Sequence, residues 1–274
     1  MSTGQPAHRW IEGSPRLHAV TWHEGRPRTV LLVHGANQHA RYWDRLVPLL
    51  LEYRVAALDL RGCGQSEWAP PGGYSLDGYV EDIARGVEAC GGPEGVAIVA
   101  HSMGALAGMA YAARHAGRLW AAAFIDIDPC PPARQAERLH AAGQRPARVL
   151  ATAEEVRGLI DRLTPGLPPE AVAMLAAEGY VAAEGGYVQR MDQRTLAEFP
   201  EVDNRPLLPS INMPALVVRG TQSTVSTLEA ATEAAALIPR GRLALVDGDH
   251  QVHVQRPEVL AAALLPFLQD AAPR

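Results

Sequence analysis

The sequence predicts an α/β fold, a mostly parallel sheet flanked by helices, and three observations carry that expectation. Short apolar runs alternate with stretches of helical periodicity along most of the chain. Glycine and proline cluster at the joints, as at Gly62-Cys63-Gly64, Pro70-Pro71-Gly72-Gly73 and Gly91-Gly92-Pro93. The pentapeptide Ala100-His101-Ser102-Met103-Gly104 forms a small-x-Ser-x-small joint between an apolar run and an Ala-rich helical stretch. With 274 residues the chain can bury a sizeable core, as one large domain or as one domain carrying an insertion.

The elements follow in order. Apolar runs at 16–22, 29–33, 54–60, 96–100, 121–127, 215–219 and 243–246 read as strands. Helical patterns occupy 41–51, 76–90, 103–115, 228–238 and 257–268. In 76–90, Tyr79, Ile83 and Val87 recur at helical spacing behind Ser75, a suitable cap. From 129 to 209 no strong buried strand is evident, yet helical patterns persist at 152–163 and 169–178. That stretch is expected to be a helical insertion rather than a disordered loop. The expected organisation is a core of residues 1–129 and 206–274 with a helical cap at 130–205.

Composition narrows the function classes. Hydrophobic residues make up 47%, charged residues 20%, and the net charge is −5 without any basic block. Nucleic acids and anionic membrane surfaces are therefore not expected partners. All 25 basic residues are Arg, so Schiff-base and P-loop mechanisms have no lysine to use. Residues 1–10 lack an apolar leader core, and no apolar run approaches a spanning length, so neither secretion nor membrane insertion is expected. Cys63, Cys90 and Cys130 form an odd, dispersed set without CxxC. That pattern suits a reducing cytoplasm with neither a disulfide framework nor a zinc site, with Cys63 in a loop and Cys90 at a helix end.

The serine joint is the chemically informative segment. A turn this tight pushes its middle residue into a strained conformation with the side chain projecting outward. The following helix opens with free N–H groups and a positive dipole end, and both suit attack on a carbonyl. Three further segments accompany it in order: Leu31-Leu32-Val33-His34-Gly35-Ala36, Leu58-Asp59-Leu60-Arg61-Gly62-Cys63-Gly64-Gln65-Ser66, and Val246-Asp247-Gly248-Asp249-His250-Gln251-Val252-His253. Together these motifs resemble the α/β-hydrolase family, from about residue 16 to 268. The resemblance implies an α/β-hydrolase fold with the cap inserted after the sixth core strand.

It also implies roles. Ser102 matches the nucleophile, whose hydroxyl needs an adjacent base, and His250 matches that base. The backbone N–H groups of Ala36 and Met103 match the oxyanion hole. Many family members carry an aspartate after the seventh strand, but here Gly220-Thr221-Gln222-Ser223-Thr224-Val225 offers no carboxylate. A branch that includes small bacterial esterases takes the acid from the end of the sixth strand. Phe124-Ile125-Asp126-Ile127-Asp128-Pro129 resembles that pattern, with Asp126 as the acid that orients His250 and Asp128 as the alternative.

Other polar residues have assigned expectations. His34 braces the loop before the oxyanion residue, His101 packs or caps near the turn, and His253 supports the His250 loop. Asp59 and Arg61 anchor a loop below the site. Asn37, Gln38 and His39 touch substrate or cap the helix at 41–51. His34, Asn37, Gln38 and His101 are the candidate pocket residues, with Tyr180, Tyr187, Met174 and Met191 on the pocket side of the cap. His250 and His253 lack a third ligand at suitable spacing, so no metal is expected. The resemblance thus implies a cofactor-free serine hydrolase acting on a small-molecule ester. A C–C bond hydrolase, thioesterase, lactonase or perhydrolase would share these motifs. A hydrolase-like receptor with little turnover is the reading from a different class, suggested by the missing carboxylate after the seventh strand. Ser102 argues against epoxide hydrolases and haloalkane dehalogenases, which need a carboxylate nucleophile. Oligomeric state is left open.

Overall fold

Parallel strands buried on both faces need apolar side chains at nearly every position, and this sheet meets that demand. The computed structural model describes residues 5–273; the first four residues of the amino-terminal segment, and Arg274, lie outside the described residues. The elements in order are β1 (Ala7–Ile11), β2 (Leu17–Trp22), β3 (Thr29–Val33), β4 (Arg54–Asp59), α1 (Leu76–Cys90), β5 (Val96–His101), α2 (Met103–Arg114) and β6 (Leu119–Ile125). Then come α3 (Ala133–Gly143), α4 (Ala153–Leu163), α5 (Pro169–Gly179), β7 (Tyr180–Ala183), β8 (Gly186–Gln189) and α6 (Arg194–Ala197). The chain closes with β9 (Ala215–Gly220), α7 (Leu228–Leu237), β10 (Gly241–Val246), α8 (Val252–Gln255) and α9 (Pro257–Ala271).

Eight strands form one sheet in the order β1-β2-β4-β3-β5-β6-β9-β10. β2 pairs antiparallel with β1 and β4, and every other pairing is parallel. Alternation along the strands sorts side chains to two cores. Leu31 and Val33 of β3 join Ile98 and Ala100 of β5 on the face covered by α1 and α2. Val30, Leu32, Ala97 and Val99 point to the other face, against Leu260, Leu264 and Leu268 of α9. The α/β-hydrolase fold is therefore present, with β5 in the interior of the sheet and its carboxyl end at the site.

α1 begins where Ser75 Oγ accepts from Gly78 N at 3.1 Å, and Tyr79, Ile83 and Val87 turn into the core as their spacing predicts. The helix expected at 41–51 is corrected to two 3₁₀ turns, Ala40–Trp43 and Val47–Leu49. Pro48 supplies no N–H and its ring opposes a continuous α-helix. Asp59 Oδ1 also accepts from Ala40 N at 2.6 Å, which fixes where the first turn starts. Asp59 further accepts from His18 Nδ1 at 2.7 Å and Gln65 N at 3.0 Å. β1 had no apolar signature because it is an edge strand with mostly exposed side chains.

Residues between β6 and β9 form α3 to α6 and the β7–β8 hairpin, whose strands are half-buried and hence lack a continuous apolar run. Val156, Ile160, Val172 and Leu175 pack together with Val254 of α8 and Tyr42, joining this segment to the core. Cys90 ends α1 and Cys63 lies in the loop after β4, both buried as free thiols, while Cys130 is a half-buried free thiol. Among the described residues no helix is long and apolar enough to cross a membrane.

The loop after β4 hangs on a buried ion pair in which Arg61 Nη2 lies 2.7 Å from Asp82 Oδ1. Such a pair adds little net stability, but removing one partner strands the other charge. Asp82→Ala should lower the unfolding free energy by about 3–5 kcal/mol in urea titrations. A loss below about 1 kcal/mol would show that Arg61 finds solvent without its partner.

Candidate active site

The turn between β5 and α2 is too crowded for ordinary side chains. Ser102 sits there at φ 52° and ψ −122°, a strained setting for a residue with a β-carbon. Its N–H donates to Ile125 O at 3.0 Å, tying the turn to β6. A β-carbon on Gly104 would lie 2.4 Å from His34 O, and one on Gly35 would lie 2.9 Å from Ser102 Cβ. Glycine is required at both places so that the chain before Ala36 can approach the serine. Met103 opens α2, where N–H groups have no intrahelical acceptor. Among the described residues neither the Met103 nor the Ala36 amide donates to another protein group.

Asp126 ends β6 in a second left-handed turn, at φ 54°. Its carboxylate is buried and saturated with donors. Oδ1 accepts from Gly220 N at 2.9 Å; Oδ2 accepts from Ser223 Oγ at 2.6 Å and from His250 Nδ1 at 2.7 Å. A hydrogen on Nδ1 leaves the Nε2 lone pair of His250 as the basic site. Asp128 does not share this contact: its Oδ1 accepts from Ser226 Oγ and Thr227 N, each at 2.9 Å. Burial pushes the Asp128 carboxyl above the usual carboxylate range, against the pull of the Thr227 and Ser226 donors.

Behind His250 lies a dry stack of imidazoles. His101 donates from Nε2 to the His250 carbonyl at 2.8 Å, and the two rings are 4.5 Å apart. The His101 ring is 4.0 Å from that of His253, which in turn lies 4.6 Å from Trp43. Among the described residues neither ring nitrogen of His253 has a hydrogen-bond partner. Burial, with the neighbouring imidazoles second, drives the His101 and His253 pKa values well below the ordinary imidazole value. Burial also lowers His39 to about 4, despite the opposing field of Asp59.

A cavity of about 620 Å³ opens above Ser102 and His250. Ala36, Asn37 and Gln38 line it, and so do Asp128, Thr224 and several residues of α3. His34 and His101 are corrected: both are fully buried beneath the wall instead of lining it. His34 donates from Nδ1 to Gly35 O at 2.8 Å and accepts from Leu60 N at 3.1 Å, which braces the Ala36 loop. Tyr180, Tyr187 and Met174 pack into the cluster around Ile160 instead, and Met191 packs on Cys63 and Leu196. Their apolar surface is consumed in docking the inserted segment. His39 does not cap with its side chain, as Asp59 takes the Ala40 amide.

Two supporting residues escaped sequence reasoning. Ser223 holds Asp126 and orders its own loop by accepting from Val225 N and Ser226 N, both at 3.1 Å. Gln251 accepts from Gln38 Nε2 at 2.7 Å and so joins the His250 loop to the Ala36 loop. A serine or glutamine on a polar loop gives no signal until its partner is known. Among the described residues no cluster of three or more His, Cys, Asp or Glu side chains is arranged to hold a metal.

A profile of the alpha/beta hydrolase family matches residues 30–263. The 2-(acetamidomethylene)succinate hydrolase of Mesorhizobium japonicum is 24% identical over 89% of this chain and 89% of its own length. A serine hydrolase-like protein of Danio rerio is 25% identical over 94% of this chain and 86% of its own. Among solved structures, an E-2-(acetamidomethylene)succinate hydrolase superposes with TM-score 0.85 at 23% identity, covering 97% of this chain and 100% of the other. The thioesterase domain from the curacin biosynthetic pathway gives TM-score 0.83 at 20% identity, covering 96% and 100%. At these identities the two structures show likeness of fold.

The neutral histidines give the stability a pH dependence of definite sign. In the unfolded chain each takes a proton near ~6.5. The folded chain holds His39, His101 and His253 neutral to lower pH. Their contribution is therefore complete above that value and is lost as pH falls toward about 4, where folded His39 titrates. Each costs about 1.4 kcal/mol per pH unit across its window. Urea titrations at about pH 7 and about pH 5 should show His253→Leu flattening the slope by one such share. An unchanged slope would mean that His253 charges within the fold.

Proposed function

The chain belongs to the alpha/beta hydrolase family, and from that premise we propose a cofactor-free serine hydrolase that cleaves a carboxylic ester or closely related acyl bond through an acyl-enzyme on Ser102. The observation that carries this reading is the 2.7 Å hydrogen bond from His250 Nδ1 to Asp126 Oδ2, formed beside a strained serine on the floor of a cavity.

The proposed chemistry runs in two stages, acylation and hydrolysis. His250 Nε2 takes the Ser102 proton as Oγ bonds to the substrate carbonyl carbon, and the carbonyl π pair moves onto oxygen. The Ala36 and Met103 N–H groups receive that oxyanion; one such donor is worth about 3–4 kcal/mol in related sites. Asp126, fixed by Gly220 and Ser223, keeps His250 in the productive tautomer and stabilises its imidazolium. Collapse of the intermediate breaks the bond to the leaving alcohol oxygen, which takes the proton from Nε2. Water then gives a proton to His250 and attacks the acyl carbon. The Ser102 oxygen leaves and recovers that proton, and the carboxylic acid is released. Residues 130–205 act as the cap that shapes the cavity and limits water.

A fluorophosphonate probe should label the wild-type protein and leave Ser102→Ala unlabelled. An inert wild type would sink the hydrolase assignment, and a labelled alanine variant would move the nucleophile elsewhere. Asp126→Asn should lower kcat on p-nitrophenyl esters by about 10⁴-fold. Should Asp128→Asn be the crippling change instead, the acid is misassigned.

A further inference from the structure

Arginines of α3 join the lining of the cavity above Ser102. One face of α3 forms a wall, with Arg134, Gln135, Arg138 and Leu139 all on it. Arg134 and Arg138 are four residues apart, so their stems rise from one stripe of the helix, on the order of 6 Å from each other. Among the described residues neither guanidinium lies within ion-pair distance of a carboxylate or makes a hydrogen bond. Glu137 of the same helix is not on the cavity wall. The first turn of α3 also faces the cavity, with Pro132 at its cap position, so the positive helix end adds to the same field.

Asp128 also lines the cavity, and its carboxylate is already engaged by Ser226 and Thr227. A substrate carboxylate would be repelled by Asp128 and drawn to the arginines of α3. General surface basicity is no explanation, because the whole chain carries a net charge of −5.

We propose that the cavity takes an anionic acyl substrate, whose distal carboxylate is gripped by Arg134 and Arg138 while its scissile carbonyl lies at Ser102. This rests on the serine hydrolase reading and adds the substrate class. The planar fork of a guanidinium matches two carboxylate oxygens, and two forks on one stripe close on a single carboxylate from both sides. The half-ester of a short dicarboxylic acid fits this description. The remote carboxylate is then a handle that places the ester, and binding energy at α3 is used to orient the reacting carbon.

The test compares matched substrates. Monomethyl succinate, glutarate and adipate are set against methyl butyrate, valerate and hexanoate, which have the same acyl lengths without the charge. Wild type should favour the anionic member of the best-fitting pair by at least about 10-fold in kcat/KM. The ratio should fall toward unity in Arg134→Gln/Arg138→Gln and recover in part with Lys at both positions. It should invert in Arg134→Glu/Arg138→Glu, an outcome only a folded protein can give. Calorimetry adds a readout independent of turnover: Ser102→Ala should bind glutarate, and adding the two Gln substitutions should abolish that binding.

A wild-type ratio at or below unity, or one that ignores the Gln substitutions, overturns the anion site. If fluorophosphonate labelling is intact in that case, the hydrolase reading stands alone. Arginine-dependent glutarate binding in a protein that no fluorophosphonate labels supports the anion site and overturns the hydrolase reading.

Discussion

Close approach at the carboxyl end of β5 is the constraint on which the rest of the site depends. Gly35, His101, Ser102 and Gly104 meet there with no room for a β-carbon on either glycine. The strained serine is tolerable because its surroundings over-determine it. β5 lies between β3 and β6, buried on both faces, and the Ser102 amide is bonded to Ile125 on β6. Packing from two cores therefore holds a conformation that an isolated turn would abandon. The same crowding packs the chain before Ala36 against the opening of α2, and among the described residues neither the Ala36 nor the Met103 amide donates to another protein group.

The loop carrying His250 is held differently, through its backbone and its neighbours. His101 bonds the His250 carbonyl, Gln251 bonds Gln38, and Asp126 bonds the ring itself. His101 thus serves both partners: it precedes the serine in the tight turn and positions the loop of the histidine. Its neutrality suits the proposed role of His250. Under the proposed mechanism, a charged imidazole 4.5 Å from His250 would oppose the imidazolium that forms there. Burial favours that neutrality, as it does for His253, whose ring nitrogens have no hydrogen-bond partner among the described residues.

What was legible in the sequence divides along the line between local and distant causes. The interior strands showed as apolar runs because both faces are buried, and Ser75, Tyr79, Ile83 and Val87 marked α1 by spacing alone. The serine turn was visible because steric demand falls on adjacent residues. β1 and the β7–β8 hairpin were not visible, since half-exposed strands need no apolar pattern. The segment at 41–51 misled because apolar spacing suggested a helix that Pro48 and the distant Asp59 carboxylate forbid. Ser223 and Gln251 were silent for a related reason: their partners Asp126 and Gln38 are 97 and 213 residues away.

The position of Asp126 links the chemistry to the shape of the cavity. Because the carboxylate comes from β6, the loop after β9 does not have to supply one. Ser223 of that loop turns inward to hold Asp126, while its neighbours Thr224 and Val225 become cavity wall. Asp128, two residues past Asp126, is carried to the same wall and pinned by Ser226 and Thr227. One short turn thereby places two carboxylates in separate settings, one bonded to His250 and one facing the cavity. The charge that lines the cavity here is thus coupled to the strand whose end carries the carboxylate bonded to His250. The inserted helix α3 adds arginines to the same cavity. Substitutions on α3 would change the cavity lining without disturbing the bonds among His250, Asp126 and Ser223, since no residue of α3 takes part in them.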